Sequence, residues 1–114
     1  MRHASYEYEG AAEGPIGEAR EFEAYLKRRP AHSMRDAIEL QVATLWSLAY
    51  EMIMTADEAP SSSQKAEAGR YRARADSMYA RLSARPDPAL AAQAAVARFN
   101  LRHDRRIYAN PNAW

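Results

Sequence analysis

The sequence contains no cysteine and few glycines. The absence of cysteine excludes disulfide bonds, thiolate metal sites and a cysteine nucleophile. Of the four glycines, Gly10, Gly14 and Gly17 lie near the N-terminus, and Gly69 is the one glycine in the rest of the chain. This distribution provides no glycine-rich phosphate loop, nucleophile elbow or EF-hand loop.

Histidine is also too scarce to indicate a metal centre. His3, His32 and His103 have no ligand-like spacing, and the sequence has no HExxH or ExxH motif. A carboxylate-bridged di-metal bundle would need ExxH on two helices. We therefore predict no metal, no cofactor and no enzymatic activity.

The charge is unevenly distributed along the chain. The formal net charge is +1, but residues 1–58 carry 6 basic and 11 acidic side chains and residues 59–114 carry 10 basic and 4 acidic ones. Arginine supplies 14 of the 16 cations, and its planar donor fork suits ion pairs and interfaces. This polarity predicts that the two halves pair with each other, or that copies of the chain join head to tail.

No segment has the character of a membrane span or a secretory signal. The most apolar window, from Ile38 to Met54, includes Glu39 and Glu51 and is too short and too polar to cross a bilayer. The opening residues MRHASYEYEG lack an apolar stretch. We expect no membrane association and a cytoplasmic location, or a virion location if a phage encodes the chain.

Apolar spacings of three and four residues predict an all-α fold, a single domain over residues 1–114. The predicted helices cover residues 18–29, 34–56, 63–84 and 89–108. Of the 17 residues from Ile38 to Met54, 12 are apolar, so the second helix should be the central one of a small four-helix bundle.

Several residues mark the predicted helix ends. Pro30 should end the first helix, and Ser33 with Asp36 has capping-box spacing before the second helix. Ser61 and Gln64 have the same spacing before the third helix. Asp87 and Pro88 form a capping and first-turn pair for the fourth.

The two ends of the chain should be non-helical and adhesive. Glycines and Pro15 predict an extended arm over residues 1–15, and Asn110-Pro111 predicts a short tail over residues 109–114. Aromatic, apolar and arginine side chains dominate interface hot spots. The predicted partner-binding residues are Tyr6, Tyr8, Arg102, Arg105, Arg106, Ile107, Tyr108 and Trp114.

Two carboxylates within the apolar second helix need a polar environment, because a buried charge is costly unless it is paired. Glu51 should lie on a narrow polar strip, and Glu39 should reach an arginine of another helix.

These features favour a non-catalytic structural or adaptor subunit of a larger assembly, either a homo-oligomer or a hetero-assembly. A phage virion protein of the head–tail connector or neck type is the favoured instance. The alternative is a nucleic-acid-binding accessory, packaging or regulatory protein, whose phosphate contacts would come from the third and fourth helices. The candidate contacts are Arg70, Arg74, Arg81, Arg85 and Arg98.

Overall fold

The chain folds as an all-helical bundle, as predicted. The computed structural model describes residues 12–104, which form four helices and no strand. The helices are α1 (Glu13–Arg28), α2 (Arg35–Met54), α3 (Ser62–Leu82) and α4 (Pro88–Arg102). Helix α2 packs against α1, α3 and α4, and α4 packs mainly against α3. Residues 1–11 of the predicted arm and the predicted tail, residues 109–114, lie outside the described range.

The caps predicted for α3 and α4 are confirmed. The Gln64 backbone N–H donates to Ser61 Oγ at 3.1 Å, and the Ser61 backbone N–H donates to Gln64 Oε1 at 2.8 Å. The Asp87 carboxylate accepts the backbone N–H of Ala89 at 3.0 Å, and Pro88 occupies the first turn. Both helices therefore begin where a side chain satisfies backbone donors that have no partner within the helix.

Two predicted boundaries are wrong. Helix α1 begins at Glu13, so residues 13–15 of the predicted arm are helical. Pro15 is tolerated because it lies in the first turn, where backbone N–H groups have no acceptor within the helix. Helix α4 ends at Arg102, before the predicted end at residue 108, because Asp104 adopts a left-handed φ of 54°. Residues 105–108 lie outside the described range.

The predicted cap of α2 is also wrong. The structure gives α2 no side-chain cap and places Met34, not Ser33, at the N-cap position. The Met34 backbone N–H instead donates to His32 Nδ1 at 2.9 Å. The imidazole therefore satisfies the backbone donor of the N-cap residue itself, whereas the predicted Ser33 cap would have accepted from the Asp36 backbone N–H.

Aromatic side chains join the helices in the core. Trp46 of α2 stacks on Tyr71 of α3 with ring centroids 5.2 Å apart, and its indole N–H donates to Glu23 of α1 at 3.1 Å. One side chain therefore links three helices. Tyr79 and Leu82 of α3 belong to the same core and are fully buried. Among the helices of residues 12–104, none has the length and apolar character that a bilayer crossing requires.

Candidate protein-interaction surface

Most of the arginines proposed as phosphate contacts form ion pairs inside the fold. Arg74 of α3 contacts Glu23 of α1 at 3.0 Å. Arg85, just after α3, contacts Asp36 of α2 at 3.3 Å. These pairs join the basic second half of the chain to the acidic first half, as the charge distribution predicts.

Glu39 is the most buried acid of these pairs. It accepts from Arg35 of its own helix at 3.0 Å and from Arg81 of α3 at 3.4 Å. The prediction that Glu39 reaches an arginine on another helix is confirmed. Glu51, predicted to lie on a polar strip, is also buried in α2, as is Ser47.

A further pair joins α3 to α4. Arg98 Nε lies 2.9 Å from Asp76 Oδ1, and hydrogen bonding to this carboxylate raises the pKa of Arg98. Arg102 makes a longer contact of 3.7 Å with the same carboxylate. Arg70, the remaining candidate phosphate contact, is exposed on α3.

The structure locates only part of the predicted partner-binding set. Arg102 is the last residue of α4, and its side chain is 57% exposed. The other predicted residues lie outside the described range, so their contacts remain predictions. They are Tyr6, Tyr8, Arg105, Arg106, Ile107, Tyr108 and Trp114.

Helix α4 presents an apolar surface that the sequence analysis did not identify. Val96 is 60% exposed and Phe99 is 51% exposed. The buried residues of this helix are Ala94 and Leu101, on the opposite side. We define the outer stripe as the exposed residues at alternating spacings of three and four that lie opposite that buried side, namely Ala89, Ala92, Val96, Phe99 and His103.

A shallow groove runs beside the outer stripe, between α4 and α2. It encloses about 490 Å³ and is lined by Leu40, Thr44, Ala92, Gln93, Val96, Ala97 and Asn100. Val96 belongs to both the groove and the stripe, so the two form one continuous surface. The lining is mostly apolar, with neutral amides and a hydroxyl, which is typical of a surface for another apolar side chain.

The C-terminal end of α4 is held by side chains of α2 and α3. Arg72 of α3 donates to the carbonyl of Leu101 at 3.0 Å and to that of Arg102 at 3.3 Å. Tyr50 of α2 donates to Asp104 at 2.8 Å. A cation at the carbonyl end of a helix complements its dipole. The outer stripe is therefore carried on a helix whose end is fixed.

The described residues contain no group of three or more acids and histidines placed to hold a metal ion.

Two tyrosines have a raised pKa. Burial raises the pKa of Tyr79, and the Tyr71 pKa is raised first by burial and then by the hydrogen bond that its phenol donates to Glu67. Both rings lie in the core of the bundle, away from the outer stripe.

Sequence reasoning missed Val96 and Phe99, although a signal was present. The stripe recurs at alternating three- and four-residue spacing, which is the spacing of a helix-pairing seam. Which side of α4 the bundle covers is decided by contacts with α3, and the sequence does not report those contacts directly. No family model matches the chain, and no curated protein sequence or solved structure is significantly similar to it.

Proposed function

We propose that this chain is a non-catalytic helical subunit that joins a larger protein assembly. The observation that carries the proposal is the exposed apolar surface of α4, where Val96 and Phe99 face away from the bundle. A large side chain left in water gives up roughly 1.5–3 kcal/mol of stabilisation that burial would provide. Exposed apolar surface of this kind marks protein contacts when it is contiguous.

The internal ion pairs support a structural role over nucleic-acid binding. Four of the five candidate arginines, Arg74, Arg81, Arg85 and Arg98, each contact a carboxylate of another helix. An arginine paired in this way gains less from a phosphate, because the existing partner must be given up. In this proposal α2 is the central scaffold and the charged pairs hold α1, α3 and α4 in place.

The terminal segments are the second part of the proposal. Tyr6 and Tyr8 of the arm and Ile107, Tyr108 and Trp114 of the tail would add anchors on neighbouring subunits. A phage head–tail connector or neck protein is the favoured instance, since a small helical bundle with adhesive ends suits a ring of repeated subunits. Portal and tail genes beside the coding sequence would support this instance.

Light scattering of the purified chain tests the proposal. We expect a mass above that of one chain, and deletion of residues 107–114 should lower that mass while the helical circular dichroism stays unchanged. A chain that stays monomeric and retards duplex DNA in a salt-dependent manner would replace this proposal with the nucleic-acid-binding alternative.

A further inference from the structure

We infer that the partner of the outer stripe is a second copy of this chain, with the two α4 helices packed antiparallel across a two-fold axis. This inference rests on the proposed function and names its partner and geometry. It depends on how the five stripe residues are spaced and on the sizes of their side chains.

The spacing of the stripe is that of a two-stranded helical seam. Ala89, Ala92, Val96, Phe99 and His103 follow one another at steps of three, four, three and four residues. Residues with this repeat stay on one face of a helix and pack against a similar repeat on a partner helix. All five are exposed in the isolated chain.

The sizes of the stripe residues favour an antiparallel partner. When the two α4 helices run in opposite directions, Ala89 of one copy lies against Phe99 of the other copy. Ala92 of one copy then lies against Val96 of the other. The four layers between residues 89 and 99 then each join an alanine to a larger side chain, which permits close packing there, and His103 lies beyond the end of the partner helix. A parallel pair would instead set Phe99 against Phe99 and Ala89 against Ala89, leaving the alanine end underpacked.

The helix dipoles agree with this direction, because an antiparallel pair places the positive N-terminal end of one α4 beside the negative C-terminal end of the other.

The size of the stripe sets the expected strength. Helix α4 has 15 residues and is therefore roughly 22 Å long at about 1.5 Å per residue. Even with the adjoining α2–α4 groove, this surface is at the small end of specific interfaces. We expect a dimer that forms and dissociates with concentration.

Sedimentation velocity across a concentration series tests the contact. The wild-type chain should shift from one chain to two as concentration rises, and Val96→Arg or Phe99→Arg should shift the midpoint at least tenfold higher. Phe22→Arg is the matched control, because Phe22 is a partly exposed aromatic residue on α1. It should leave the midpoint unchanged, and circular dichroism checks that each variant is folded.

The absence of cysteine allows the geometry to be tested by disulfide trapping. An equimolar mixture of Ala92→Cys and Val96→Cys chains should form a mixed disulfide dimer faster than either chain alone. Rapid dimerisation of Ala92→Cys alone would indicate a parallel pair and overturn the inferred direction. Gly69→Cys gives the rate of random collision, because a side chain at this exposed site on α3 meets open space.

The outcomes separate this inference from the proposed function. If deleting residues 107–114 disrupts the assembly while Val96→Arg and Phe99→Arg leave it intact, the α4 contact is wrong and the proposed function stands. If the chain is monomeric at every concentration and trapping is no faster than with Gly69→Cys, the second copy is ruled out as the partner. Duplex DNA retardation in that case would remove the proposed function as well.

Discussion

The Thr44 hydroxyl lies 3.0 Å from the Tyr79 phenol oxygen, and this contact joins α2 to α3 at a ring with no solvent exposure. Thr44 also donates to the Leu40 carbonyl at 3.0 Å. Because a threonine hydroxyl has a single proton, the phenol is the donor in the pair with Tyr79. Burial raises the pKa of Tyr79, which keeps this proton in place.

The raised pKa of Tyr79 predicts a loss of stability in alkali. In the unfolded chain Tyr79 releases its proton near pH 10, whereas the folded chain holds the proton to higher pH. Deprotonation then favours the unfolded chain, so this contribution is fully present below about pH 10 and is lost as the pH rises through the folded pKa. Tyr79→Phe should cost about 1 kcal/mol at neutral pH and should flatten the alkaline decline. Urea melts at a series of pH values measure both effects, and an equally steep decline in the variant would contradict the assignment.

The carboxylate of Glu39 should stabilise the junction of α2 and α3. Glu39→Gln keeps the shape of the side chain but removes the charge shared by Arg35 and Arg81. Those arginine side chains are 37% and 49% exposed, so water can solvate them once the charge is gone. We expect a loss of about 1–2 kcal/mol rather than the larger cost of a fully buried pair.

Thermal and urea melts measure this difference. Glu58→Gln, at an exposed loop position, is the matched control and should change stability little. Because the arginines are partly exposed, salt should reduce the difference between the wild type and Glu39→Gln. A Glu39→Gln chain as stable as the wild type would show that the desolvation of the carboxylate cancels its ion pairs.

The features of the fold that could be predicted are those that depend on contacts between residues close together in the sequence. Ser61 and Asp87 cap their helices through backbone groups two or three residues away, so the sequence contains the whole interaction. Pro15 predicted a non-helical arm, but the first turn of a helix tolerates proline, and α1 begins at Glu13. The Ser33 cap was wrong because α2 begins one residue later than predicted, with Met34 at the N-cap position.

Long-range contacts explain what could not be predicted. The sequence indicated that Glu39 reaches an arginine, but not that the arginine would be Arg81, 42 positions away. Similarly, the sequence offered Arg74 and Arg81 as candidate phosphate contacts, and only the fold shows that their carboxylate partners lie on other helices. The exposure of Val96 depends on which side of α4 rests on α3, a choice that many alanines leave undetermined.

The hydrogen bonds that Arg72 donates to the end of α4 predict that Arg72 stabilises the last turn of this helix locally. Arg72→Met keeps the apolar stem but removes the donors to the carbonyls of Leu101 and Arg102. The last turn of α4 should then open more often, and its backbone amides should exchange hydrogen about tenfold faster, equivalent to about 1.4 kcal/mol. Hydrogen exchange followed by NMR measures this directly.

Arg70→Met serves as the control for Arg72→Met, since Arg70 is exposed on the same helix. It should leave exchange in α4 unchanged. Equal acceleration in both variants, or acceleration spread evenly over all four helices, would mean that Arg72 supports global stability and does not specifically hold this turn.

The ion pairs between helices also predict how the chain responds to nucleic acid. The wild type should not retard duplex DNA at physiological salt, because Arg74, Arg81, Arg85 and Arg98 already contact carboxylates. Neutralising the acids by Glu23→Gln, Asp36→Asn and Asp76→Asn together should release arginines and add three to the net charge of +1. This variant should gain weak binding that falls steeply with salt, since each phosphate contact releases counterions. Mobility shifts at several salt concentrations measure the gain.

If the wild type binds as tightly as the variant, internal pairing does not restrain the arginines, and the exposed Arg70 and Arg102 become the first positions to test as phosphate contacts.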